Sequence, residues 1–477
     1  MSVERRRVLL VSHDTLGAKM AGPGIRYYHL ANVLSRHFDL TLAVPRQPEQ
    51  LHEPAPMEAR PGSATLHPYV RFDWETIQDA VHWAEVIIFP SDTAVEFPLL
   101  TTFNVPLVVD GYDPLLVEWL ALHAESEAKT DSGHWRHRMH QLYPQYSVGD
   151  FYICASERQR DWWLGMLEAY GRVNPWTFAD DPSLRRLIDI VPYGLPEKSL
   201  TATRSVLRDL WPQIGADDKI IVWGGGLWLW LDPLTAIRAV AQIWTQRQDV
   251  RLIFPGTRHP NPVLSEIGSH NQAAKSLAAE LDLLDKAVFF GDWVPYDDWA
   301  NLLLECDVAL SLHFDTAETR LAFRSRVLEY IWAGLPCVVS TGDATSDLVA
   351  QHNLGTVVGY EDVDSVASAI LAELARDDAT ISASFAQARQ ALNWEVVARP
   401  LIEFCRNPYF AADRSAHPHR VGHPVWLDWH DAHTAEINEL RSRIATLEAQ
   451  AVEQQDLIRG YEQGRFMRLM HWLKTRI

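Results

Sequence analysis

The chain has 477 residues, of which 47% are apolar and 22% charged. That length predicts two or three domains, each able to bury its own core, and excludes a globally disordered protein. With 43 basic against 62 acidic residues the net charge is −19, so no nucleic-acid partner is expected outside a local basic patch.

The first segment, MSVERRRVLLVSHD, has only a brief apolar run before His13 and Asp14, too short for a signal-peptide core. No stretch approaches the roughly 18 apolar residues that a bilayer span needs, which makes a cytoplasmic location the expectation. The four cysteines, Cys154, Cys306, Cys337 and Cys405, lie far apart and have neither zinc nor redox spacing. They read as buried structural thiols.

Short apolar runs then alternate with helical patterns: Val8 to Ser12, Leu40 to Val44, Val86 to Pro90, Leu107 to Asp110 and Phe151 to Cys154. Runs without strict polar alternation suit parallel strands covered on both faces by crossover helices. A glycine-rich loop, Leu16 to Arg26, follows the first strand, and Gly17, Gly22 and Gly24 would form a lip to which Lys19 and Arg26 bring positive charge. The segment Ile188 to Pro196, IDIVPYGLP, ends this half with a strand and a Pro/Gly turn, the pattern of a hinge. A second series runs through Lys219 to Trp223, Val250 to Pro255, Ala287 to Phe290, Asp307 to Ser311, Pro336 to Ser340 and Gly355 to Val358. The fold class is therefore α/β, with two Rossmann-like, doubly wound domains facing a cleft that takes the ligand.

Beyond Pro424, Ile437, Leu440, Ile444, Leu447, Ala451, Gln454 and Ile458 follow a three-four alternation, which predicts an extended helix. Two readings stay open: a coiled coil able to form a homodimer, or a surface helix folded back on its own domain. The last stretch sets Phe466, Leu469, Met470, Leu473 and Ile477 on one face with Arg465, Arg468, Lys474 and Arg476 elsewhere. Such a basic amphipathic helix suits peripheral contact with anionic lipid at the inner face of the membrane, and suits docking on a partner subunit equally.

Three constellations carry chemistry. Gly224, Gly225 and Gly226 directly follow the first strand of the second half, where a glycine triplet lets the backbone approach a ligand and offers amides to a diphosphate, or simply makes a tight turn. Asp232 then either caps the next helix or orients a sugar hydroxyl. In the second, Glu318 to Pro336, Ser325 is expected to cap a helix whose first amides, with Arg324, face an anion, while Arg320 and Arg326 add charge. Glu329, one turn further on, can accept both hydroxyls of a ribose. At the end of a buried strand in the first half, Asp110 and Asp113 are placed to steer a reacting hydroxyl, with Glu118 a turn later. Asp113 suits helix capping ahead of Pro114 as well. His13 and His313 each follow a strand end and suit either the cleft or a structural hydrogen bond.

The order of strand, GGG loop and helix, then VRLIFPG (Val250 to Gly256), VFFG (Val288 to Gly291), Cys306 to Ser311 and LEYIWAGLPCVVS, resembles the retaining GT-B glycosyltransferases of the large family four, glycosyl transferases group 1. The likeness is close from Lys219 to about Ala369 and extends to the layout of the first half. It implies an acceptor domain over 1–200 and a nucleotide-sugar donor domain over 201–410, and the linker, coiled-coil helix and basic tail read from the residue pattern then occupy 411–477. Of the family's two glutamates before AGLP, the ribose-binding one corresponds to Glu329. The other falls at Leu321, so Glu318 is the acid nearest to take its place. The family's Gly-Phe-Gly stands here as Ala322-Phe323-Arg324, which puts Phe323 at the donor and leaves Arg320 and Arg324 to take over diphosphate contacts. Arg258 is a further candidate for the charge that LWLWLDP lacks.

The resemblance implies transfer of a sugar from a nucleotide-sugar donor to the hydroxyl of a glycan or lipid-linked acceptor, with retention, in cell-envelope or surface polysaccharide synthesis. Arginines and helix-terminal amides can stabilise the leaving diphosphate without a metal, so no cofactor is expected. Asp362-Val363-Asp364 has the spelling of a metal motif but reads as helix capping. The alternatives are a nucleotide-sugar epimerase or hydrolase of the same fold, or a noncatalytic coiled-coil assembly protein.

Overall fold

The computed structural model describes residues 5–17, 20–51, 61–123, 132–257, 270–416, 425–462 and 464–475. They divide into two compact units, Met1–Val421 and Gly422–Ile477.

The first unit holds two parallel sheets. One contains β1 (Arg7–Val11), β2 (Asp39–Pro45), β3 (Thr65–Tyr69), β4 (Val86–Pro90), β5 (Leu107–Asp110), β6 (Phe151–Cys154) and β7 (Ile188–Ile190), in the order β3-β2-β1-β4-β5-β6-β7. The other contains β8 (Lys219–Trp223), β9 (Val250–Phe254), β10 (Val288–Phe290), β11 (Val308–Ser311), β12 (Cys337–Ser340) and β13 (Gly355–Val358), in the order β10-β9-β8-β11-β12-β13. Val86–Pro90, Leu107–Asp110 and Cys337–Ser340 are buried along their whole length, as strands with helices on both faces must be. In each sheet the order reverses beside its first strand, between β1 and β4 and between β8 and β11. The loops leaving those strands open a crevice there, and the crevice receives the glycine loops at Leu16 and Gly224.

Two chain segments connect the sheets side by side. The outgoing Leu195 donates its amide to the Leu392 carbonyl (2.7 Å), and the returning Trp394 donates to the Leu195 carbonyl (3.0 Å). After this crossing the chain packs against the first sheet again. Phe404 stacks on Phe151, and buried Arg172 and Asp413 form an ion pair at 2.6 Å. The packing therefore departs from a linear division at 410, because helix Arg399–Arg406 and the segment up to Arg414 lie on the first sheet.

The second unit holds a helix of 38 residues, Val425–Glu462, and a shorter helix, Arg465–Lys474, whose N-cap is Gly464. Among the described residues no helix is long and apolar enough to cross a membrane.

Candidate donor and acceptor site

The loop after β8 is fixed at its start and open at its end. Gly224 donates its amide to the Tyr330 hydroxyl (2.7 Å), which in turn donates to the Leu310 carbonyl on β11 (3.0 Å). A Cβ on Gly224 would come within 2.9 Å of that hydroxyl, so the position needs glycine for room. Gly225 has φ +77°, a left-handed conformation that glycine adopts without steric cost. The Arg326 guanidinium lies against this turn. It donates to the Gly226 carbonyl (3.3 Å) and sits over the buried Trp223 ring at 5.7 Å.

Arg326 belongs to the first turn of helix Ser325–Ala333, which starts at Arg324 without any side-chain cap. Ser325 is thus the first helical residue and not the cap. The start of this helix leaves backbone amides available beside a half-buried guanidinium, an arrangement that favours an anion. Nη1 of Arg326 is buried with no hydrogen-bond partner, and burial lowers its pKa to about 10. One turn later Glu329 accepts a bond from the Trp299 indole (2.8 Å), and burial raises its carboxyl to about 7. Leu328 and Ile331 anchor the opposite face in the core. Gly334, at φ +75°, ends the helix in the left-handed conformation expected of its sequence.

The opposite wall comes from the first sheet. His13 follows β1, Asp92 follows β4 and Asp113 follows β5. The imidazole lies between the two carboxylates, with Nδ1 3.6 Å from Asp92 and Nε2 3.9 Å from Asp113. Burial works to lower the His13 pKa, but Asp92, Asp113 and Asp14 outweigh it and leave it raised. Burial lifts Asp113 to about 6 against the pull of His13. Glu118 is pushed well above the carboxylate range by burial and by the neighbouring Asp113 and Glu318. Arg71 holds the group together through Glu96 and Asp92.

The two walls meet directly. Gly22, on the lip of the first loop, would place a Cβ 3.3 Å from the Ser325 hydroxyl. Tyr112 donates its hydroxyl to the Phe323 carbonyl (3.0 Å), and Gln159 bridges the carbonyls of Tyr112 and Leu321.

Residues 218–376 match the family model described as glycosyl transferases group 1. That match spans about a third of the chain. Over the chain, sucrose-phosphate synthase from Thermosynechococcus elongatus is similar at 19% identity and TM-score 0.60, covering 84% of this chain and 98% of that one. The Anabaena protein HepE in complex with UDP-glucose is similar at 14% identity and TM-score 0.59, with 84% and 99% covered. WaaG, a glycosyltransferase involved in lipopolysaccharide biosynthesis, is similar at 15% identity and TM-score 0.54, with 84% and 100% covered. At these identities the likeness establishes the fold, which is GT-B. No curated protein matches the sequence.

Within the matched residues the expected arginines separate. Arg320 is exposed on helix Ala317–Leu321. Arg324 points inward and makes a bidentate pair with buried Glu318, at 2.7 Å on both arms, with Asp343 3.6 Å away. Glu318 and Arg324 thus neutralise each other, which corrects the expectation that one would meet the sugar and the other the diphosphate. Arg326 is the guanidinium that reaches the glycine loop. Phe323 uses its carbonyl and ring on Tyr112, so its place is the seam between the domains. Asp232 and Asp362 accept from the amides of Thr235 and Ser365, and both are helix caps. His313 is buried, bonds the Thr341 carbonyl (3.0 Å) and is held near pKa 4 by burial, as a structural histidine.

Asp110 is also corrected. Its carboxylate lies in a closed pair with Arg26 (2.9 and 3.1 Å) and accepts further bonds from the Tyr27 hydroxyl and the Tyr112 amide. Arg26 is spent on the same lock and brings no charge to the lip. Asp113 remains on the cleft side with His13. Gly17 has φ +133° and open space around it, while Arg258 and Lys19 lie outside the described residues. Asp92, Arg71 and Trp299 were not singled out from the sequence. Asp92 carried a usable signal, since Pro90-Ser91-Asp92 ends a strand at the switch point.

Proposed function

We propose that the protein is a retaining glycosyltransferase that moves a sugar from a nucleotide sugar to an acceptor hydroxyl. The observation that carries this reading is Arg326, a half-buried guanidinium whose Nη1 is enclosed and unpartnered, set against the Gly225–Gly226 turn at an uncapped helix start. There the donor diphosphate meets a fixed cation and backbone amides. Both strengthen their hold as negative charge develops on the leaving group, without help from a metal. Glu329, oriented by the Trp299 indole, takes the ribose hydroxyls.

The acceptor enters from the first sheet, where Asp113 and His13 are positioned to orient its hydroxyl. Retention in a single step requires the acceptor hydroxyl to approach the face of the sugar from which the diphosphate leaves. HepE with UDP-glucose and WaaG of lipopolysaccharide biosynthesis support a nucleotide-sugar donor and a cell-envelope or surface polysaccharide acceptor, glycan or lipid-linked. The basic tail fits work at the inner face of a membrane.

The test is incubation with a panel of nucleotide sugars, with and without glycan and lipid-linked acceptors. Nucleotide release that needs acceptor supports transfer. Release without acceptor would assign a hydrolase or epimerase, and absence of nucleotide binding would assign a scaffold.

A further inference from the structure

Helix Val425–Glu462 carries a stripe that its own unit does not cover. Leu440, Ile444, Leu447 and Ile458 are 51%, 55%, 57% and 56% exposed, and Tyr461 continues the line. With Ala451 and Gln454 these residues alternate in steps of four and three over about 32 Å of helix. In heptad terms Ile444, Ala451 and Ile458 occupy a, and Leu440, Leu447, Gln454 and Tyr461 occupy d.

We propose that this stretch pairs with the same stretch of a second copy of the chain as a parallel, in-register, two-stranded coiled coil. Three features choose that occupant. Isoleucine at a with leucine at d favours two parallel strands. The flanking charges are self-complementary: Arg443 at g faces Glu448 at the following e of the partner, and the sequence repeats the arrangement one heptad earlier with Glu436 and Arg441. Among the described residues Arg443 and Glu448 have no ion-pair partner within the chain, so both are available. Finally, Gln454 meets its own counterpart only in the parallel register, where two amides can bond. Reversing one helix about the middle of the stretch sets Gln454 against Ile444 and leaves the amide unmatched. The pairing also brings the two basic helices Arg465–Lys474 to the same end of the coil.

The experiment uses the full chain. Light scattering coupled to size exclusion at tens of micromolar is expected to give twice the 54.2 kDa of one chain. The double substitution Leu440→Asp with Leu447→Asp is expected to halve that mass while circular dichroism of the rest is retained. Register is read by Ile444→Cys and Ile458→Cys, made separately against the wild type as a blank. Cα separations across a coiled-coil core fit a disulfide, so each is expected to oxidise to a covalent dimer. Arg443→Glu is expected to weaken the dimer at least several-fold, and Arg443→Glu with Glu448→Arg to restore it. A monomeric wild type, a dimer that survives the paired aspartates, or failure of both cysteine variants to cross-link to themselves would overturn the proposal.

Discussion

Arg324 and Arg326 stand two residues apart at the start of one helix, yet their surroundings give them opposite tasks. Arg324 is the partner of a buried carboxylate, and removing one member of such a pair strands the other in a low-dielectric site, at a cost of about 3–5 kcal/mol. Arg324→Ala is therefore expected to lower the thermal midpoint strongly, as differential scanning calorimetry would show. Arg326→Ala removes a guanidinium whose Nη1 has no protein partner, so the fold is expected to persist while nucleotide-sugar affinity falls at least tenfold by isothermal titration. Equal affinity in Arg326→Ala and wild type would remove the donor assignment. Glu329 adds a pH signature. Burial raises its carboxyl from the ordinary carboxylate range to about 7, so ionisation costs folded-state stability as pH climbs through 7 and costs nothing well below the unfolded value. A ribose diol is held by the ionised form. Donor affinity is thus expected to rise from pH 6 to pH 8 in the wild type and to stay low and flat in Glu329→Gln.

On the element scale, helix Ser325–Ala333 shows what the chain makes legible and what it conceals. Its apolar spacing, the Gly334-Leu335-Pro336 stop and Glu329 one turn in were readable from periodicity and turn chemistry. The fate of the acid was not, because Glu318 reaches Arg324 across a break between two helices, and six residues of separation specify no geometry once the helix is interrupted. The same limit hid β3. Thr65–Tyr69 is an edge strand containing Pro68 and only partly buried at its centre, so it lacks the apolar run that marks its neighbours. Gly334 offers a measurable consequence of the legible part. Its φ of +75° is costly for any residue with a Cβ, and Gly334→Ala is expected to destabilise the protein by about 1 kcal/mol. Because the helix start is untouched, the same variant is expected to keep its donor affinity, read by titration on the folded protein.

For the first unit as a whole, the working geometry depends on how two sheets from distant parts of the chain are held across the crevice. Sequence showed two halves and a hinge, since each half carries its own strand series and IDIVPYGLP breaks the pattern. It gave no sign of the seam, which is made of side chains meeting carbonyls. Gln159 spans the Tyr112 and Leu321 carbonyls at 2.9 and 2.7 Å, Tyr112 meets the Phe323 carbonyl, and Arg158 reaches the Gly342 carbonyl and Asp347. Each such bond is worth about 0.5–1.5 kcal/mol net, and a buried carbonyl left without a donor costs about 1–3 kcal/mol. Gln159→Leu would strand two buried carbonyls unless the domains part and admit water to them. Parting is the cheaper response for lobes joined by two narrow connections, so this variant is expected to have a larger radius of gyration by small-angle scattering. Donor contacts made by the second sheet alone survive that motion, whereas alignment of the acceptor does not. Accordingly kcat is expected to fall well beyond any change in the donor KM, and an unchanged radius with a collapsed donor affinity would show that the seam serves the nucleotide site and not closure.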